Sequence, residues 1–204
     1  MTPLPARLLV VTDRHQAPEP LADRVERLLA AGIRWIWLRD RDLPPAERRA
    51  LARDLAARVA RHGGCLSVGA DVALAAAVGA GVQLGAGSDV AAARRVLGSG
   101  SLGSRALVGV SAHSLADIGA ARRAGADYAT LSPVFASASK PGYGPALGLA
   151  ALRDAAALGL PVLALGGVGA AAARGCLSAG AAGVAVMGEA MRGDGATVEA
   201  LARI

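Results

Sequence analysis

Four groups of residues in this sequence have types and spacings that could do chemistry. His113 closes the triplet Ser111-Ala112-His113 after an apolar run at 105–110. An imidazole with an ordinary pKa of about 6.5 can take and give a proton near neutrality. Lys140 is the only lysine among 22 basic residues and lies in SPVFASASKPGYG, with Ser137 and Ser139 at alternate positions before it. Two hydroxyls and an ammonium suit a carboxylate or a phosphate. Gly142 and Gly144 would let that segment work as a lid. Arg39 and Arg41 stand in the charged run RDRD after the apolar stretch 33–38. Gly166 and Gly167 end one apolar run, and Met187 and Gly188 end the next. Glycines at two neighbouring strand ends either make tight turns or leave backbone N–H groups open to a phosphate. Their recurrence at both ends favours the phosphate.

The elements that must position these groups alternate regularly. Apolar runs that read as strands occur at 7–12, 33–38, 65–68, 81–84, 105–110, 127–131, 162–165 and 183–187. Helical spacing follows each of them: 21–31, a long helix opened by Pro44-Pro45 and running to 61, one capped by Asp71 and ending at 78, 89–97, 115–124, 147–158, an alanine-rich helix after Gly169, and 196–204. Alternation of this kind means a parallel sheet covered by helices, and eight units predict an α/β fold of one domain over 1–204, a (β/α)8 TIM barrel. An internal echo supports closure: AAGI at 30–33, GAGV at 79–82, AGAD at 124–127 and AGAA at 179–182 each lead from a helix into an even-numbered strand. Small residues there are expected to let helix ends pack closely on the barrel. Chemistry in such a barrel sits at the C-terminal ends of the strands. That rule selects Asp13, Arg39, Arg41, Val68, Gln83, Ser111, His113, Ser132, Ser137, Ser139, Lys140, Gly166, Gly167, Met187 and Gly188.

Composition removes several function classes. The chain is 53% hydrophobic with only one Phe, two Tyr and two Trp, so its core must be Ala, Leu and Val. A net charge of +6 would suit an anionic ligand. The arginines, however, alternate with acids, as in Asp23-Arg24 and Glu47-Arg48-Arg49, which reads as solvated helix faces and not as a nucleic-acid surface. Cys65 and Cys176 fit no disulfide or metal spacing and are expected to be reduced, buried thiols of a cytoplasmic protein. The apolar run at the N-terminus is too short for a signal peptide. Residues 155–173 are uncharged, but Pro161 and the glycines at 159, 166, 167 and 169 break the stretch, so no membrane span is expected. Carboxylates at strand ends are few. Asp13 and Asp40 are there, while Val68 and Ser88 stand where a metal site could have placed its acids, so no bound metal is expected.

With these motifs in order, the chain resembles the thiamine phosphate synthase/TenI superfamily of (β/α)8 barrels. The likeness rests on VTD near the N-terminus, LRDRD, DVALA, GVSAH, ADYATLSPVFASASK, LALGGV and GVAVMG, and covers almost the whole chain. The resemblance implies one of two activities. Synthases couple a hydroxymethylpyrimidine diphosphate to a thiazole phosphate with magnesium. Their QLR-x-K motif has Trp37 and Arg41 here in place of its Gln and Lys. Their Asn-Asp pair falls on Ser67 and Val68, and the aspartate of HLGQ-x-D falls on Ser88, next to Asp89. The TenI branch, with QLG and S-x-H-S-L at 111–115, is the closer match on these residues. It implies a cofactor-free, metal-free thiazole tautomerase, an isomerase that aromatises a carboxythiazole phosphate. By resemblance His113 is then the acid/base, Gly166, Gly167, Met187 and Gly188 hold phosphate, and Arg39, Arg41, Ser111, Ser137, Ser139 and Lys140 face the substrate. A synthase with magnesium and an unusual pyrophosphate site that draws on Asp89 and Arg41 is the alternative. A third reading is a non-catalytic binder of thiazole phosphate or thiamine phosphate. In each the partner is a small phosphorylated molecule, with no nucleic acid and no membrane, and homo-oligomerisation stays open.

Overall fold

In a β-strand successive side chains point to opposite faces, so every strand of a closed barrel feeds two cores at once. The computed structural model describes residues 3–98, 106–136 and 145–204 and shows that arrangement. Eight parallel strands close in sequence order: β1 (Leu8–Val11), β2 (Trp35–Leu38), β3 (Cys65–Gly69), β4 (Gly81–Leu84), β5 (Val108–Ala112), β6 (Tyr128–Leu131), β7 (Val162–Ala164) and β8 (Gly183–Val186), with β1 pairing to β8. The helices are α1 (Leu21–Ala30), α2 (Pro45–Arg61), α3 (Val72–Ala77), α4 (Val90–Leu97), α5 (Leu115–Arg123), α6 (Gly148–Ala157), α7 (Ala170–Ser178), the short α8 (Gly188–Arg192) and α9 (Gly195–Ala202). This is a (β/α)8 TIM barrel. No helix among the described residues is long and apolar enough to cross a membrane.

One set of strand residues, including Val10, Ile36, Val68, Val82, Val110, Leu131, Ala164 and Val186, packs outward against the helices. The alternate set, Leu9, Val11, Trp35, Trp37, Tyr128, Leu163 and Ala185, fills the barrel. Trp35 and Tyr128 meet edge to face with ring centres 4.8 Å apart, a favoured aromatic geometry. Trp35 Nε1 also donates to Ser67 Oγ at 3.2 Å. Gly109 makes this packing possible, because a Cβ there would collide with both Tyr128 and Gln83. A chain poor in aromatics thus spends both tryptophans on plugging its barrel.

The four echoes before the even-numbered strands share a conformational reason, with close packing added at Gly81 and Gly180. Their glycines, 32, 79, 125 and 180, all have positive φ. At the first three, nothing lies within 4 Å of where a Cβ would be. Each echo ends a helix with a Schellman-type pair of bonds, for example Gly32 N to Leu29 O at 3.0 Å and Ile33 N to Leu28 O at 3.1 Å.

Several expectations are corrected. The fifth strand runs through Ala112, so Ser111 lies inside it. Helix α8 was read as part of a strand end and a loop. Cys176 is buried as expected, but Cys65 is exposed. Arg24 and Arg48, read as parts of solvated faces, are 1% and 8% exposed. Helices α1 and α2 each turn one arginine inward to bind backbone carbonyls.

Candidate active site at the barrel mouth

The mouth begins at the β1–β2 corner, where a buried carboxylate sets the geometry. Asp40 is 5% exposed. It accepts a 2.6 Å hydrogen bond from the Thr12 hydroxyl and a 2.8 Å bond from Arg14 N. Thr12 Oγ1 in turn accepts from Arg39 N at 3.0 Å. These three bonds fix the chain that carries Arg39 and Arg41. The Arg39 guanidinium reaches across the mouth, with Nη1 at 3.7 Å from both Asp13 Oδ2 and Met187 Sδ. Arg41 is exposed and has no hydrogen bond or ion pair to any described residue. Partial desolvation, then the like charges of Arg39 and Arg48, lower its pKa from the ordinary arginine value. It stays charged at neutral pH regardless. Outside this corner Arg14 and His15 both bind Asp42, which holds that carboxylate well below its usual range.

Arg48 joins β2 to β3. Its Nε donates to Asp40 O at 2.9 Å, Nη2 to Gly69 O at 2.8 Å, and Nη1 to Asp71 Oδ2 at 3.0 Å. The other Asp71 oxygen caps α3 through Leu74 N at 2.9 Å. Ala70, between them, is exposed with φ 56°, the one positive value among described non-glycine residues. This corner does not fit a divalent cation. Val68, the place expected to bear an acid, is apolar and packs in the outer core against the helices, so it offers no oxygen to a cation. Asp89 stands apart from the other carboxylates, with its Oδ1 capping α4 through Ala92 N at 2.8 Å. Among the described residues no three His, Cys, Asp or Glu side chains converge.

On the β4–β6 side, Gln83 is fully buried and donates to Ser111 Oγ at 3.2 Å and more weakly to Thr130 Oγ1 at 3.4 Å. Gln83 and Ser132 are therefore supports: one orients Ser111, the other His113. The His113 Nδ1 lies 2.8 Å from the Ser132 carbonyl. A carbonyl only accepts, so Nδ1 carries the proton and the neutral ring keeps its basic lone pair on Nε2. Trp37 lies 5% exposed in the barrel, its Nε1 without a hydrogen bond among the described residues.

The β7–β8 corner is built from backbone. Gly166 and Gly167 have φ 88° and 65°. A Cβ on Gly167 would strike the Ala136 carbonyl and Phe135. Both glycines are thus needed for a close approach to the segment after β6, where Val134 N bonds Leu165 O at 2.8 Å and Phe135 N bonds Gly166 O at 2.9 Å. Met187 and Gly188 lead into α8. Two side chains that sequence reasoning passed over complete this corner. Glu189 Oε2 accepts from Ala170 N at 3.0 Å and so occupies the start of α7. Arg24 donates to Ala190 O at 2.8 Å and to Gly193 O at 2.7 Å, anchoring α8.

The structure therefore brings together Arg39, Arg41, Ser111, His113, Gly166, Gly167, Met187 and Gly188 at one end of the barrel. Ser137, Ser139, Lys140 and the lid glycines lie outside the described residues.

Comparison with known proteins follows the same outline. The model of a family described as thiamine monophosphate synthase matches residues 8–190. A thiamine-phosphate synthase of Methanoculleus marisnigri is 40% identical over 192 residues, covering 92% of this chain and 88% of that protein. One of Marinobacter nauticus is 36% identical over 200 residues, covering 96% and 87%. A solved thiamine phosphate pyrophosphorylase from Pyrococcus furiosus superposes with a TM-score of 0.83 at 28% identity, over 97% of this chain and 94% of that one. A 3-hexulose-6-phosphate synthase at 18% identity and TM-score 0.66 shares the fold alone. These relatives overturn the expected thiazole tautomerase. The QLG and S-x-H-S-L resemblance that pointed to the TenI branch is outweighed by identity to synthases along nearly the entire chain.

Proposed function

This chain belongs to the thiamine monophosphate synthase family and is an enzyme of thiamine biosynthesis, and we propose that it is a transferase that joins a hydroxymethylpyrimidine diphosphate to a thiazole phosphate, giving thiamine phosphate and pyrophosphate. The observation that carries this reading is the 40% identity to a named synthase across 92% of the chain. The chemistry is a displacement. The lone pair of the thiazole ring nitrogen forms a bond to the exocyclic methylene carbon of the pyrimidine. The bond from that carbon to the diphosphate oxygen breaks, and its electron pair leaves with pyrophosphate. The nitrogen becomes the cationic centre of the product.

No C–H proton moves in this reaction, so His113 is not required as an acid/base. We assign it, with Ser111, to hydrogen bonding of substrate polar atoms on the β5 side. Arg39 and Arg41 take the diphosphate, since a guanidinium matches phosphate oxygens bidentately. The backbone of Gly166, Gly167, Met187 and Gly188 takes the thiazole phosphate. Ser137, Ser139 and Lys140 are assigned to substrate contact from their place in the sequence. Synthases of this kind are expected to use magnesium, and the carboxylates described above do not fit one, so no step here passes through a metal.

The test is direct. Purified protein with both substrates should release thiamine phosphate and pyrophosphate in equal amounts. Absence of both products, with magnesium or with EDTA, would refute the reading.

A further inference from the structure

The misfit between a magnesium-dependent reaction and this mouth has a structural cause. Each described carboxylate near the β1–β4 strand ends has at least one oxygen already engaged, and no three of them converge. Asp13 accepts from Gln16 Nε2 at 2.6 Å and His15 N at 3.2 Å. Asp40 is closed by Thr12 and Arg14. Asp71 is divided between Arg48 and Leu74 N, and Asp89 caps α4. A cation at the β3 end would also face the Arg48 guanidinium, held there by three bonds to Asp40 O, Gly69 O and Asp71. Yet the same region offers Arg41 without an acidic partner among the described residues, and Arg39, whose ion pair with Asp13 is long at 3.7 Å.

We infer that this chain carries out the coupling without a divalent cation, the charge of the departing diphosphate being met by Arg39 and Arg41, with Arg48 fixed behind them. The inference rests on the synthase reading and deepens it. Two guanidiniums carry the same formal charge as one divalent cation. They are also planar donors preset for phosphate oxygens, with no coordination shell to assemble. Donors aimed where negative charge develops lower the barrier of such a step. The charge balance closes without a proton: the electron pair of the broken C–O bond stays on pyrophosphate beside the arginines. Arg48 has its donors committed to protein and acts as a positioning residue.

Two measurements test this together. The first is coupling by wild type and by Arg41→Ala and Arg41→Lys, each in EDTA and in magnesium. The second is calorimetric binding of inorganic pyrophosphate to the same proteins in EDTA. Wild-type turnover should be the same within about twofold in both buffers. Arg41→Ala should lose about 100-fold in kcat, with Arg41→Lys between and added guanidinium ion restoring part of the loss. Pyrophosphate should bind wild type in EDTA and bind Arg41→Ala at least about tenfold more weakly. Arg41 is exposed, so the variants should fold, and circular dichroism checks that they do. Turnover that requires magnesium, or pyrophosphate binding that tightens about tenfold on adding it, would overturn the inference and leave the synthase reading standing. No coupling in either buffer, with metal-free and Arg41-dependent pyrophosphate binding, would sink the synthase reading and keep the anion site. Loss of both would remove both.

Discussion

The two corners of the barrel mouth are built by opposite means. The β1–β3 corner is made of side chains. Asp40, Thr12 and Arg48 tie three strand ends together through bonds that cross 23 to 28 residues of sequence or close the turn into α2, and Arg39 and Arg41 project from that frame. The β7–β8 corner is made of backbone: Gly166 and Gly167 in positive φ, closely packed on residues 133–136. The first corner holds the guanidiniums of Arg39 and Arg41, which the synthase reading assigns to the leaving diphosphate. The second is a fixed backbone shape, which the synthase reading assigns to the thiazole phosphate. Arg39 links the two through its approach to Met187. The difference teaches that a single mouth can divide its anion binding between charge and shape.

Substitution at the shape-based corner should have the largest effect. Gly167→Ala forces a side chain into a left-handed backbone against the Ala136 carbonyl and Phe135. The expected loss is about 2–5 kcal/mol, from backbone strain of about 1–2 and overpacking of about 1–3. Urea unfolding measures it, and a cost insensitive to salt would support the steric account. A loss under about 1 kcal/mol would show that the corner yields.

At the charge-based corner, Arg48→Met leaves two backbone carbonyls without their donors and Asp71 without its cation. The expected cost is about 3 kcal/mol in unfolding free energy, together with lower kcat as Arg39 and Arg41 lose their frame. Wild-type kcat in a folded Arg48→Met protein would break the claim that Arg48 positions the anion site.

The smallest effect sharpens the contrast from the other side. Glu189 places a carboxylate at the start of α7, beside the phosphate corner. Glu189→Gln keeps an acceptor for Ala170 N and removes the charge. KM for thiazole phosphate should fall about threefold, the size of one exposed charge interaction. A rise in KM would mean that the carboxylate helps and does not repel.

The same contrast explains what the sequence disclosed. Apolar runs alternating with helical segments, Asp71 as a helix cap, and the glycines of β7 and β8 are local signals, and the barrel and the turns of the shape-based corner were legible from them. Arg39, Arg41 and His113 were legible because they directly follow strand ends. Arg24 and Arg48 were not: a single helix shows an arginine beside acids, and nothing local says that its partners are carbonyls of Gly193 or Gly69. Val68 was assigned to the mouth from its place at a strand end alone, but it alternates with Ser67, which points into the barrel, and so faces the helices. Cys65 was expected to be buried from its apolar neighbours, but it begins β3 at the end away from the mouth. The tautomerase expectation failed for a related reason. It rested on short motifs, whereas the resemblance to synthases is spread along the chain.

The central claim is that a carbon–nitrogen bond forms between the two substrates. It is tested most directly by NMR with a pyrimidine diphosphate labelled with ¹³C at the exocyclic methylene and a thiazole phosphate labelled with ¹⁵N in the ring. A one-bond ¹³C–¹⁵N coupling should appear in the product as pyrophosphate is released. Labels that remain in separate molecules, with no coupling in either EDTA or magnesium, would contradict the account.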